Sequence, residues 1–204
     1  MSRHVISWRG MIHQIANSLF NSNTWIIELE DTLWLVDCGD VETVIPLLKN
    51  KSLSGILLTH AHFDHIYGLN TLFRICSNAL LYTNVYGKIA LTDSKKNLSF
   101  YHETPYVFDF PERVRIIDDG DTIELNEDYQ AVAVATPGHN NSCLSYVLDD
   151  CLFTGDSYIP GLKVVTSLPG GNKVNANESL EKIMNLAKGR IIYPGHGASQ
   201  EKTM

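Results

Sequence analysis

The chain has 204 residues and a formal net charge of −7, with 16 Lys and Arg against 23 Asp and Glu. This length predicts one domain over residues 1–204 with a substantial core, and the acidic balance argues against nucleic acid as a partner. No run approaches the roughly 20 apolar residues of a membrane helix, and the first ten residues lack a long apolar stretch and a small-residue cleavage site, so the expectation is a cytoplasmic protein with no membrane partner.

In chain order, residues 24–30 and 32–37 are apolar runs around the acidic break Glu30-Asp31, which reads as a β-hairpin. Residues 41–51 carry Val41, Val44, Ile45, Leu47 and Leu48 on a helical stripe. Residues 54–59 read as a short buried strand, 65–75 as a helix with His65 at its start, and 80–82 as another strand. A helix is expected over 84–92, with Asn84 as its N-cap. Strands follow at 114–117, 122–125, 129–136, 143–148 and 151–154, the last two joined by the turn Asp149-Asp150. A helix over 177–188 has Leu180, Ile183, Met184, Leu186 and Ala187 on its apolar side, and a final strand ends at Tyr193. Such a mixture of hairpins and helices indicates sheets with helices on their outer faces.

Chemistry is concentrated in Thr59-His60-Ala61-His62-Phe63-Asp64-His65, where three imidazoles and one carboxylate lie within six residues just past a strand. Catalytic groups commonly occupy such loops, and imidazole and carboxylate are natural ligands of Zn²⁺ and similar divalent ions. Three further candidates repeat the pattern of an apolar run, a glycine and a ligand: His139 after Pro137-Gly138, Asp156 after Thr154-Gly155, and His196 after Pro194-Gly195. Glycine allows a sharp bend and a close approach to a bound group. Seven candidate ligands match the needs of two ions, at roughly three protein ligands each plus a shared carboxylate. His4, His13 and His102 lack this context and read as surface or packing residues. The cysteines Cys38, Cys76, Cys143 and Cys151 form no C-x-x-C pair and read as small buried hydrophobes.

At these positions the chain resembles the metallo-β-lactamase superfamily. Trp34-Leu35-Val36-Asp37-Cys38-Gly39-Asp40 looks like its early acidic motif, and His60-Ala61-His62-Phe63-Asp64-His65 matches its His-x-His-x-Asp-His signature. Thr136-Pro137-Gly138-His139, Phe153-Thr154-Gly155-Asp156 and Tyr193-Pro194-Gly195-His196-Gly197 match the remaining motifs in order. The likeness runs from about residue 12 onward, and its wording is nearest the glyoxalase II-like hydrolases. It implies an α/β fold, an αββα sandwich of two mixed sheets flanked by helices. It also implies one metal site from His60, His62 and His139, a second from Asp64, His65 and His196, and Asp156 as the bridge. Asp37 would support the ligand loop by hydrogen bonds. The implied cofactors are two divalent ions, zinc first, with iron or manganese suited to the same donors.

The implied reaction is hydrolysis by a hydroxide bridging the two ions, with Asp64 and Asp156 as the catalytic carboxylates. Residues 97–111 are rich in aromatics, and residues 157–175 leave directly from Asp156, so both segments are candidates for the pocket wall. Tyr158 and Lys163, with Lys173, are candidate contacts for a substrate. Glyoxalase II proper holds glutathione with a helical C-terminal domain, and the chain stops seven residues after Gly197. The expected substrate is therefore a small thioester, ester or lactone. The alternatives are a phosphodiesterase or nuclease, a β-lactamase, and an iron-dependent oxygenase acting on persulfides. The last needs one iron only and leaves the second ligand set unexplained. Oligomeric state is open.

Overall fold

The computed structural model describes residues 10–201. Strands β1 (Met11–Ala16), β2 (Asn23–Glu28), β3 (Thr32–Val36), β4 (Ser52–Leu57), β5 (Leu80–Thr83) and β6 (Val114–Ile116) form one sheet in that order. The pairs β1–β2 and β2–β3 are antiparallel, and those from β3 to β6 are parallel. The second sheet has the order β11 (Ile191–Pro194), β10 (Cys151–Gly155), β9 (Leu144–Leu148), β8 (Gln130–Ala135), β7 (Thr122–Glu124). Only β10–β11 is parallel there.

The sheets pack face to face. Trp25, Ile27, Trp34, Val36 and Leu57 of the first meet Ile123, Ala131, Ala133, Tyr146 and Phe153 of the second. Two indoles tie the layers by donating across them, Trp34 Nε1 to the Leu125 carbonyl at 3.1 Å and Trp25 Nε1 to the Pro194 carbonyl at 2.9 Å. On the outer face of the first sheet, Ile26, Leu35 and Ile56 pack against Leu69, Leu72 and Phe73 of α2 (Leu69–Ile75) and Ala90 and Leu91 of α3 (Val85–Leu91). Ile183 and Ala187, from α4 (Lys173–Leu186) and its end, cover Leu152 and Ile192 on the other side. The result is the expected αββα sandwich. Among the described residues, no helix is long and apolar enough to cross a membrane.

Most expected elements are found, and the departures have local causes. The stripe at 41–51 yields only α1 (Val44–Leu47). Pro46 lacks an N–H, and beyond it the chain closes in tight turns, Leu48 N to Ile45 O and Asn50 N to Leu47 O. The helix expected from residue 65 begins at Leu69, and His65 lies in a separate 3₁₀ turn over Phe63–His65. Helix α4 starts four residues before the expected 177 because the Asn172 side chain caps it, accepting from the amides of Val174 and Asn175. Strand β1 had no sequence signal. It is an edge strand on which Ile15 alone is buried, so it shows no alternation. Helix α3 is capped by Asn84 as expected, its side chain accepting from the Gly87 amide.

Candidate metal centre

The topology brings the motifs together. Strands β3 and β4 run parallel, as do β8, β10 and β11, since two antiparallel steps restore direction. The residues following these five strands therefore emerge at shared edges. Backbone bonds join the edges, with Leu144 N donating to Thr59 O at 2.8 Å and Asn23 N to Gly195 O at 2.7 Å. All seven candidate ligands meet there.

His60, His62 and His139 each offer a ring nitrogen to one group whose ligand atoms lie within 4.8 Å of one another, and Asp64, His65 and His196 form a second. Asp156 reaches both. Its Oδ1 lies 3.6 Å from His65 Nε2, and its Oδ2 lies 3.6 Å from His139 Nε2 and 3.4 Å from His196 Nε2. Asp64 Oδ2 is 3.4 Å from both His65 Nε2 and His196 Nε2. A tetrahedral ion with ligands at about 2.1 Å separates its ligand atoms by about 3.4 Å. His60 Nε2, His65 Nε2 and Asp156 Oδ1 are buried without a hydrogen-bond partner among the described residues. Such groups are costly unless something pairs with them, and a divalent cation fits this donor set.

The outer nitrogens are fixed. Asp37 accepts from the Thr59 amide at 2.7 Å, the Thr59 hydroxyl at 2.7 Å and His65 Nδ1 at 2.8 Å. With its proton committed to Asp37, the Thr59 hydroxyl accepts from His60 Nδ1 at 3.2 Å. His139 Nδ1 donates to the Val165 carbonyl at 2.8 Å and His196 Nδ1 to the Phe20 carbonyl at 3.2 Å. Four imidazoles thus turn Nε2 inward, an orientation set by hydrogen bonding of the other nitrogen. The fifth, His62, lies between Asn140 Nδ2, 3.0 Å from its Nε2, and His139 Nε2, 2.9 Å from its Nδ1. Asn140 is the outer partner and presents its Nδ2 donor to His62. Its Oδ1 is held by the amide and hydroxyl of Ser142, both at 2.8 Å.

Charge divides the two groups. Burial and the neighbouring imidazoles hold His60 well below its usual pKa, and burial takes His62 down to about 3. Burial also opposes charge on His65 and His196. Asp64, Asp156 and Asp37 nevertheless raise His65 to about 9, and hydrogen bonds to Asp156 and Asp64 raise His196 to about 10. The same imidazoles hold Asp156 and Asp64 below the usual carboxylate range, against the cost of burial.

Backbone detail supports the packing. Asp37 has φ +60°, an uncommon conformation for a residue other than glycine. A Cβ on Gly195 would stand 2.1 Å from Asp156 Oδ1, so the carboxylate needs glycine there. Gly155, at φ +49°, abuts the Thr59 side chain in the same way.

Other expected contacts are placed elsewhere. Tyr158 packs against Leu152, Ile183 and Ile192 beneath α4, and its carbonyl accepts from Thr154. Lys163 is exposed and makes no ion pair among the described residues, and Lys173 is the exposed first residue of α4. Segment 157–175 does border the site, but through the backbone carbonyls of Val165 and Pro169. In segment 97–111, Phe108 is buried with Phe73 and is flanked by Tyr106 and Phe110, so these rings anchor the loop, while Phe100 and Tyr101 face outward. His13 bonds Glu28 on the surface, and His102 packs between Phe20 and Phe63. His4 lies outside the described residues. Cys38 is buried, its amide donates to the His65 carbonyl, and burial raises its thiol pKa far above the usual value. Sequence reasoning missed Thr59, Asn140 and Ser142. Thr59 and Asn140 adjoin a ligand in sequence, and Ser142 lies three residues past His139.

Residues 17–196 match the family model of the metallo-beta-lactamase superfamily. The hydroxyacylglutathione hydrolase of Aliivibrio fischeri is 32% identical over 181 residues, covering 87% of this chain and 62% of that protein. The chain thus spans about 60% of the length of the hydroxyacylglutathione hydrolases it matches. A probable metallo-hydrolase of Streptococcus pyogenes is 26% identical, over 92% of this chain and 84% of its own. Among solved structures, the BLEG-1 B3 metallo-beta-lactamase superposes with a TM-score of 0.85 at 26% identity, over 93% of each chain. With the fold, the motif order and the geometry in agreement, the chain belongs to the metallo-β-lactamase superfamily.

Proposed function

We propose that the chain is a binuclear metal-dependent hydrolase of a small thioester, ester or lactone. The observation that carries this reading is the inward set of imidazole nitrogens in two groups joined by one carboxylate, with three atoms of the set buried and without a hydrogen-bond partner among the described residues. His60, His62 and His139 would hold one divalent ion, and Asp64, His65 and His196 the other, with Asp156 touching both. Bound there, the ions supply a water of lowered pKa and polarise the substrate carbonyl. Asp64 lies at the rim of the cluster with one carboxylate oxygen near His65 and His196, where it can take the proton released by the attacking water. Asp37 and Thr59 hold His65 and His60 in the ligating tautomer.

The net negative charge of the chain favours a small acyl substrate over a polynucleotide. Zinc is the expected metal, and the cytoplasm the expected compartment. A second reading, β-lactam hydrolysis, is favoured by the near-complete mutual coverage with BLEG-1. The test is metal analysis of the purified protein combined with a panel of thioesters, esters, lactones, β-lactams, phosphodiesters and single-stranded RNA under one metal and salt condition. Acyl turnover with two bound ions supports the proposal. Exclusive β-lactam turnover replaces it with the second reading, and exclusive RNA cleavage overturns both.

A further inference from the structure

The turn between β1 and β2 is built on two residues in the left-handed region. Ser22 N donates to Leu19 O at 3.2 Å, and the two residues between, Phe20 and Asn21, both have φ +54°. Two positive φ values are the signature of a type I′ turn, where glycine, asparagine and aspartate are the usual occupants. Asn21 fits that rule. Phe20 does not, because a bulky side chain is strained there. Burial does not offset the strain, since Phe20 is 64% exposed and its ring meets His102 at a centroid distance of 5.9 Å. Backbone strain that persists at such a point is a pointer to function.

What this turn touches is the second ligand group. The Phe20 carbonyl accepts from His196 Nδ1 at 3.2 Å. The Ser22 hydroxyl donates to the Asp64 carbonyl at 2.7 Å, and Ser22 also forms a backbone bridge with His196. Asn17, buried and packed against Gly39, donates from Nδ2 to the Ser22 hydroxyl at 3.1 Å. Asn23 Nδ2 then holds the carbonyls on both sides of His196, Pro194 at 2.9 Å and Gly197 at 2.7 Å. The first ligand group takes its outer bonds elsewhere, from Thr59, Asn140 and Val165. His196 is also the more open ligand, with 21% of its side chain exposed against 5% for His139, so packing does less to hold it.

We infer that residues 17–22 are the positioning element for the second ion, with the Phe20 backbone setting the His196 ring, the Ser22 hydroxyl setting the loop of Asp64, and Asn17 holding Ser22. All three are positioning residues that act through His196 and Asp64. The Phe20 carbonyl is presented to His196 Nδ1 by a left-handed residue 20, so the backbone conformation matters there and the aromatic ring does not. The inference rests on the binuclear part of the proposed function and adds to it the residues that set the affinity for one ion without the other.

The test titrates zinc into metal-free protein against a competing chelator and resolves the two affinities in wild type and in Phe20→Gly, Phe20→Asn, Phe20→Val, Ser22→Ala and His102→Ala. Glycine and asparagine adopt positive φ readily, whereas a β-branched residue resists it. The second affinity is expected to fall about 10- to 100-fold in Phe20→Val and Ser22→Ala. It should stay within about twofold of wild type in Phe20→Gly, Phe20→Asn and the control His102→Ala. The first affinity should be unchanged throughout. No loss in Phe20→Val, equal losses in Phe20→Gly and Phe20→Val, or equal weakening of both ions each overturns the inference. The Phe20 series changes an exposed ring, so it decides the matter even where the buried change Ser22→Ala does not fold. A second readout needs no metal. The ¹⁵N chemical shift of His196 Nδ1 in metal-free protein should match wild type in Phe20→Gly and Phe20→Asn and move in Phe20→Val, and a shift indifferent to residue 20 overturns the inference. The failures are distinguishable: wild-type protein that takes up at most one ion removes the binuclear reading, and the ring shift then decides the inference by itself.

Discussion

The two halves of the candidate metal centre use similar residues in opposite electrostatic states. His60, His62 and His139 are supported by neutral partners, namely a hydroxyl, a carboxamide and a backbone carbonyl. Burial keeps His60 and His62 uncharged. His65 and His196 are surrounded by Asp37, Asp64 and Asp156 and hold protons to high pH. His60 and His62 thus carry no charge that a cation would have to displace, while His65 and His196 must exchange protons for one. Carboxylate placement, not imidazole count, sets the difference.

The largest effect that can break this picture is at the shared group. Asp156→Ala is expected to lower kcat/KM by at least about 10⁴-fold, because both ligand groups would lose the carboxylate they share. Elemental analysis should show both halves depleted, with His13→Ala as the surface control. Retention of a full metal complement would show that the halves are independent.

Asp37→Asn comes next. It removes the charge behind His65 while keeping its shape, and should weaken metal binding in the second half by about 10- to 100-fold. Competition with a chelator measures this. Equal weakening of both halves would mean that Thr59, held by the same carboxylate, matters as much as His65.

Acidity sharpens the comparison further. His65 and His196 have folded values above their ordinary value of 6.5, so their contribution to the metal-free protein is complete below about 6.5 and is lost as pH rises through about 9 and about 10. His62 has the opposite sign. Its contribution is present above 6.5 and is lost as pH falls toward about 3. Thermal denaturation of chelated protein should therefore show a stability maximum near neutrality with two declining limbs. His196→Gln is expected to flatten the alkaline limb alone. Metal addition at neutral pH should release protons in weakly buffered solution, and less in His196→Gln. Identical release would place the protons elsewhere.

The smallest effect is expected at Lys163. It is exposed and unpaired to either half, so Lys163→Ala should change kcat/KM by less than about twofold. A larger loss would give the site a cation that the geometry does not assign.

The sequence by itself determined the candidate ligands. Imidazole and carboxylate clustered past apolar runs, with a glycine before three of them, are legible because the chemistry demands those side chains and the bends demand those backbones. The hairpin at Asp149-Asp150 and the Asn84 cap were legible for the same local reason. Tertiary structure alone decided the support and the surroundings. Asn140 steadies His62, and Ser142 steadies Asn140, through contacts between segments far apart in the chain. The carbonyls of Phe20 and Val165 orient His196 and His139, and a backbone carbonyl carries no side-chain signature. Tyr158 looked like a pocket residue because it follows Asp156, yet the sheet turns its ring under α4.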